Sequence, residues 1–160
     1  MNPPHKNKKI LLEPFDASKK QFYLYQKLGF IAKKIRQQDV TIVATGHLVW
    51  EALEAAKTLD AAGISAAVIN IHTIKPLDAD AIIASVKTTG CVVTAEEHNF
   101  LGGLGESVAR ELSQTHPVPQ EFVATQDTFG ESGTPAQLME KYGLNAAAIV
   151  KAAKKAVSRK

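Results

Sequence analysis

The segment that decides the fold is CVVTAEEHNFLGGLGES, residues 91–107, in which an apolar run leads through two acids and a histidine into a glycine-rich turn. The apolar run is typical of a buried β-strand, predicted over 91–96. The residues after the turn have helical spacing, and we predict a helix over 106–112. A strand, a tight turn and a helix in this order are the repeating unit of α/β domains. The segment therefore predicts a strand-to-helix joint inside an α/β fold.

Similar units occur on both sides of this segment. Further apolar runs are predicted as strands, and because they are nearly continuous rather than alternating, they are typical of parallel strands covered on both faces. They are VTIVA (40–44), AAVINI (66–71) and the shorter EFVAT (121–125). The predicted fold class is α/β, a three-layer α/β/α sandwich around a mostly parallel sheet.

Helix signals lie between and after the predicted strands. Residues 47–63 carry apolar residues at three- to four-residue intervals and end on glycine, which predicts a helix. Asp78 and Asn145 are predicted to cap two more helices. Thr134, followed by a proline and a glutamine three positions on, predicts a capping box. Before residue 40 the period is weak. We expect an edge strand near 29–35, a partly mobile N-terminal extension over 1–28, and the α/β domain over 29–160.

Composition excludes several function classes. A share of 45% hydrophobic and 22% charged residues is ordinary for a globular chain of 160 residues. The net charge of +3 comes from basic residues near the two ends without interleaved aromatics, so we expect no nucleic-acid partner. The chain has no apolar run long enough to span a bilayer, and its single cysteine, Cys91, falls in an apolar run, which favours a buried structural thiol. We expect a cytoplasmic protein without a membrane partner.

The residues around the turn allow three kinds of chemistry. GGLGES presents backbone N–H groups that an anion would bind, although the dinucleotide pattern would need glycine where Val108 stands. Glu96, Glu97 and His98 contain the parts of an acid/base pair, but strand alternation predicts that at most two of them face one cavity. The bland interpretation, a polar strand end bonded to nearby backbone, is favoured over both.

Other polar residues are expected at the same edge of the sheet. His72 follows a strand as His98 does, and His47 begins a helix, but their spacing matches no standard zinc motif. The loop DTFGESGTP (127–135) offers Asp127 and Glu131 for contact with a partner or ligand, while turn formation and capping explain most of the loop. Trp50 is expected in the core, with an interface as the alternative.

Four segments taken together resemble the C-terminal domain of the transketolase family of thiamine-diphosphate enzymes, over roughly residues 29–157. They are DVTIVATG (39–46), INIHTIKPLD (69–78), VVTAEEHNFLGGLG (92–105) and DTFGESGTPAQLMEKYGL (127–144). The chain is most similar to transketolases and the C-terminal halves of split bacterial transketolases. Deoxyxylulose-phosphate synthases and β subunits of 2-oxo-acid dehydrogenases are the alternatives. The resemblance implies a five-stranded sheet with one antiparallel edge strand.

The resemblance also implies what the chain does not supply. Family members hold the cofactor diphosphate through magnesium with a GDG motif in a preceding domain, and no GDG occurs in this chain. We therefore assign it no catalytic, cofactor-binding or metal-ligating residue. Thiamine diphosphate and magnesium are expected only in the complete enzyme, a ketol transferase of carbohydrate metabolism. The expected partners are the cofactor-binding domains or subunit, and a second copy in a homodimer.

An anion-binding regulatory domain is the alternative from another class. In either case the predicted ligand or interface rim has seven members. They are Glu97, His98, Gly103, Gly105, His72, Asp127 and Glu131.

Overall fold

The computed structural model describes residues 38–160 of the chain, which form four strands and five helices. The strands are β1 (Val40–Ala44), β2 (Ala66–Asn70), β3 (Val92–Asn99) and β4 (Gln120–Thr125). The helices are α1 (Leu48–Ala61), α2 (Ala79–Thr89), α3 (Leu104–Thr115), α4 (Pro135–Lys141) and α5 (Ala146–Val157). The α/β class and all four predicted strands are confirmed. The predicted boundary at residue 28 and edge strand at 29–35 lie outside the described residues and stay predictions.

The four strands form one sheet in the order β2-β1-β3-β4, and every neighbouring pair is parallel. The sheet divides the described residues into two apolar layers because successive side chains of a strand point to opposite faces. Ile42 faces α1 and α5, where it packs with Leu48 and Ile149. Its neighbour Val43 faces α2 and α3, in one cluster with Leu104. The arrangement is the α/β/α sandwich that the apolar runs predict.

Local capping fixes where most helices begin. The Asp78 carboxylate accepts a hydrogen bond from the Ala81 N–H at 3.1 Å, and the Asn145 side chain does the same for α5. Thr134 and Gln137 form the predicted capping box. Helix α3 is the exception, since it begins at Leu104, two residues before the predicted start. The difference arises because a distant side chain completes its first turn.

Two predictions about single side chains have opposite outcomes. Cys91 is free and buried, as predicted, and its thiol donates to the Asp39 carbonyl oxygen at 3.4 Å. Burial, reinforced by Asp39 and opposed by Lys160, raises the pKa of the Cys91 thiol. The prediction that Trp50 lies in the core is wrong, because the side chain is 51% exposed in the first turn of α1.

The order of the strands creates a crevice at one edge of the sheet. The chain leaves β1 through α1 to β2 on one side, then crosses through α2 to β3 on the other side of β1. In open α/β sheets, ligands bind outside the carboxyl ends of the strands where the connections diverge in this way. The candidate site is therefore the gap between the ends of β1 and β3.

Candidate functional site at the carboxyl edge of the sheet

A first cavity of about 370 Å³ lies between the ends of β1 and β3. Thr45, Gly46 and His47 line it from the β1 side, and Glu96, Glu97 and His98 line it from the β3 side. The sequence prediction that at most two of Glu96, Glu97 and His98 share a cavity is wrong. Between Ala95 and Asn99 the pairing of β3 with β4 is irregular, so strict side-chain alternation does not hold there.

Glu96 completes the N-terminus of α3. Its carboxylate is 2% exposed and accepts hydrogen bonds from the backbone N–H of Leu104 at 2.7 Å and of Gly105 at 2.8 Å. These are N–H groups that the first turn of a helix leaves without an intrahelical acceptor, and a negative charge is favoured there. The carboxylate of Glu106 likewise accepts from the Gly102 N–H at 2.7 Å. Three of the donors that a phosphate would use, the N–H groups of Gly102, Leu104 and Gly105, are thus already bonded to carboxylates of the chain.

The glycines of the turn allow this close approach. At Gly103, a Cβ atom would overlap the Glu96 carboxylate. At Gly105, a Cβ would stand 2.5 Å from Cδ1 of Phe122 on β4. The Gly103 clash is with a buried carboxylate and the Gly105 clash with a partly exposed ring of β4, so both glycines act in packing the turn against β3 and β4.

A second cavity of about 480 Å³ adjoins the first and shares His47, Glu97 and His98 with it. Its remaining wall is mainly apolar and comes from α4 and the turn that follows. This wall includes Leu138, Met139, Tyr142 and Leu144. These four side chains were not predicted from the sequence to line a site. The capping box marked the start of α4, but nothing local to that segment shows that its apolar side faces the end of β3.

The three shared residues make few contacts within 38–160. His98 donates from Nδ1 to the carbonyl oxygen of Asn99 at 2.8 Å, which leaves Nε2 as the acceptor in the neutral ring. The side-chain carboxylate of Glu97 makes no hydrogen bond or ion pair to any residue of this range. A carboxylate beside two imidazoles at the junction of two cavities is suited to accept a cationic or hydrogen-bonding group.

The other predicted rim residues lie at the same edge but outside both cavities. His72 is exposed, with Nδ1 2.7 Å from the Thr73 hydroxyl. Asp127 has a positive φ of 49° and accepts from the Asn99 amide at 2.9 Å, which ties the β4 loop to β3. Glu131 pairs with Lys141 of α4. The structure therefore brings Glu97, His98 and Gly103 to one cavity and leaves these three in the surrounding loops. The seventh predicted residue, Gly105, lies inside α3 and lines neither cavity.

Two kinds of binding element are absent from residues 38–160. No group of three or more His, Cys, Asp or Glu residues in the range 38–160 is arranged to hold a metal ion. None of the helices described is long and apolar enough to cross a membrane. Glu96, the buried carboxylate that the described residues place at the site, is already used to cap α3. Glu97, His47 and His98 line both cavities and are placed to contact a partner or ligand.

Comparisons with known proteins agree with the fold. Residues 31–149 match the family profile of the transketolase C-terminal domain. The chain is 49% identical over 122 residues to the 6-deoxy-6-sulfo-D-fructose transketolase subunit SqwH of Clostridium sp. (strain MSTE9), covering 76% of this chain and 38% of that protein. It is 40% identical over 116 residues to a putative transketolase C-terminal section of Methanocaldococcus jannaschii, covering 71% of this chain and 35% of that protein.

Comparison with a solved structure also shows similarity to a transketolase. The split-gene transketolase solved as an inactive beta4 tetramer superposes with a TM-score of 0.75 at 50% identity, over 78% of this chain and 41% of that one. The chain thus spans well under half the length of these relatives. Since the family profile covers most of the chain, the chain belongs to the transketolase C-terminal domain family.

Proposed function

We propose that this chain is the C-terminal assembly domain of a transketolase-type, thiamine-diphosphate-dependent enzyme and that the ketol-transfer chemistry takes place on other domains or on a partner subunit. The observation that carries the proposal is the state of Glu96. This acid, buried at the strand-end crevice, has its carboxylate bonded to the backbone of Leu104 and Gly105. A group held in this way joins β3 to the start of α3 and so stabilises the domain.

The residues present do not fit the cofactor. Thiamine diphosphate is held through a magnesium ion, which needs carboxylate or carbonyl ligands in octahedral geometry. Residues 38–160 contain no such side-chain cluster, and the turn most similar to a phosphate loop has its Leu104 and Gly105 N–H groups bonded to Glu96. Cofactor chemistry also needs a site sheltered from water, which open cavities at one edge of a single domain do not supply.

The partner is accordingly proposed to be the cofactor-binding domains or subunit. We expect a second copy of the chain as well, in a homodimer, and a cytoplasmic setting, which the single buried thiol suits. Of the relatives compared above, only the Clostridium protein has a name that specifies a sugar. The present chain matches 38% of that protein's length. We therefore propose ketol transfer in carbohydrate metabolism and assign no particular sugar.

Calorimetry tests whether this chain binds the cofactor without the cofactor-binding polypeptide. Titrating the full chain with thiamine diphosphate and Mg²⁺ is expected to give no heat of binding. The same titration in the presence of the cofactor-binding polypeptide is expected to give a clear binding isotherm. Micromolar affinity of the chain alone would refute the proposal.

A further inference from the structure

Large apolar side chains are exposed at one edge of the domain. Five are exposed within residues 38–160, and four of them lie where a strand leads into the following helix. These four are Trp50 (51% exposed), Ile74 (39%), Leu101 (46%) and Phe129 (98%). Each of the four strand ends contributes one, and the Trp50 ring also has the Lys57 ammonium 5.9 Å from its centroid. Exposed apolar and aromatic side chains gathered on one surface are typical of protein interfaces.

The same edge is acidic although the chain as a whole carries a charge of +3. The end of β3 and the four connections that leave the strands contain one lysine, Lys75, against five acids. These are Asp78, Glu96, Glu97, Asp127 and Glu131. Four of the five have partners in caps, in an ion pair or on Asn99. Glu97 has none among residues 38–160, and it lies where the two cavities meet.

The loop between β4 and α4 also lies open. Residues 126–137 are exposed without interruption. Few contacts anchor the loop, among them the Asn99 amide to Asp127 and the Tyr142 hydroxyl to the Phe129 carbonyl oxygen. The Phe129 side chain is almost wholly in solvent, so in this conformation it is not buried against the described residues. Because burial of a large aromatic side chain is favourable, the exposure of Phe129 is explained if a partner covers it.

We propose that the carboxyl edge of the sheet is the surface that docks the cofactor-binding domain or subunit, which would present a lysine or arginine to Glu97 between apolar side chains that cover Leu101 and Phe129. This inference rests on the proposed function, since it names the surface by which the assembly domain meets its partner. Charge complementarity selects the cation, because a positive group at the junction of the cavities would meet the Glu97 carboxylate beside the imidazoles of His47 and His98. The apolar wall of the second cavity accommodates the stem of such a side chain.

The test uses four forms of the tagged full chain: wild type, Glu97→Lys, Phe129→Ser and Asp60→Lys. Asp60 is an exposed acid near the end of α1, away from the strand ends, and serves as the matched charge control. Each form is mixed with its own cell extract, the GDG-containing polypeptide is identified by mass spectrometry, and its purified form is used to measure Kd. Urea unfolding confirms that each variant is folded.

The expected result is a Kd at least about tenfold weaker for Glu97→Lys, because charge reversal places like charges together. Phe129→Ser is expected to weaken binding at least about fivefold, and Asp60→Lys to leave it within about twofold. If wild type binds the polypeptide and both edge variants bind equally well, the docking surface is refuted while the proposed function stands. If wild type does not bind it, both fail. If light scattering shows that the edge variants instead break a homodimer, the edge docks a second copy and the proposal is wrong.

Discussion

The Glu96 carboxylate occupies the space beside Gly103 so closely that any residue with a Cβ at position 103 would overlap it. The contact joins the buried end of β3 to the first turn of α3 and holds the glycine-rich turn in place. It also explains why, in a segment with the sequence of an anion-binding loop, the N–H groups of Leu104 and Gly105 are already bonded. The acceptor is supplied from within the chain, eight residues before Leu104.

Removing this acceptor should destabilise the domain. Glu96→Gln loses the charge at the helix N-terminus and offers only one oxygen to two N–H groups, so one is left buried without an acceptor. We expect the free energy of unfolding to fall by about 2–3 kcal/mol, measured by urea denaturation. The control is Glu97→Gln, where no contact within residues 38–160 is lost and the change should stay within about 0.5 kcal/mol. Equal effects of the two variants would contradict the assigned role of Glu96.

Glycine at position 103 should matter for space rather than for backbone angles. Gly103→Ala is expected to lower the free energy of unfolding by about 1–3 kcal/mol, because the methyl group displaces the Glu96 carboxylate. Gly130→Ala is the matched control, since a Cβ there meets nothing within 4 Å. Thermal unfolding of the two variants side by side provides the measurement. A Gly103→Ala protein as stable as Gly130→Ala would show that the turn accommodates a methyl group at position 103 without displacing Glu96.

The occupied donors predict that the turn does not bind phosphate. Titrating the isotopically labelled chain with inorganic phosphate to millimolar concentration should leave the amide resonances of Gly103, Leu104 and Gly105 unmoved, because an anion would have to displace the Glu96 carboxylate. Saturable shifts confined to these amides would favour the alternative, an anion-binding regulatory domain.

The C-terminal helix should be held to the sheet in a pH-dependent way. Burial alone would raise the pKa of Glu121, but hydrogen bonds and charge from Lys155 and Arg159 outweigh it and lower that pKa below its ordinary value of 4.5. A carboxyl whose pKa is lowered on folding stabilises the protein above its unfolded-state pKa, and the contribution disappears as pH falls through the folded-state value. Wild type should therefore be more stable than Glu121→Gln at neutral pH.

Urea denaturation across the acidic range checks this expectation. The two unfolding free energies should converge below the folded-state pKa of Glu121. A difference that stays constant as pH falls would mean that Glu121 acts through packing and not through its charge.

Local signals were sufficient for much of this fold. The apolar runs predicted β1 to the residue and β2 and β4 to within one residue, since burial on both faces requires apolar residues throughout. β3 extends three residues past its predicted end at Glu96. The caps at Asp78, Thr134 and Asn145 were predictable because a cap acts on N–H groups two or three residues away.

Features that depend on distant partners were not predictable. The early start of α3 depends on Glu96, and the shared cavity depends on how β3 pairs with β4. The exposure of Trp50 depends on which neighbours cover it. Six of the seven predicted rim residues lie at a strand end or in the connection that follows it, as their order in the sequence indicated, while Gly105 lies inside α3. Which of them meet at one cavity did not follow from the sequence, because the apolar wall that completes the second cavity comes from α4, some 40 residues after Glu97.

The most direct test of the central claim is reconstitution of ketol transfer. The full chain and the cofactor-binding polypeptide are assayed separately and then together, with thiamine diphosphate, Mg²⁺ and a ketose phosphate donor. The assembly account predicts no turnover by this chain alone and turnover on mixing. Turnover by the chain alone, or none from a mixture shown to form the complex, would contradict it.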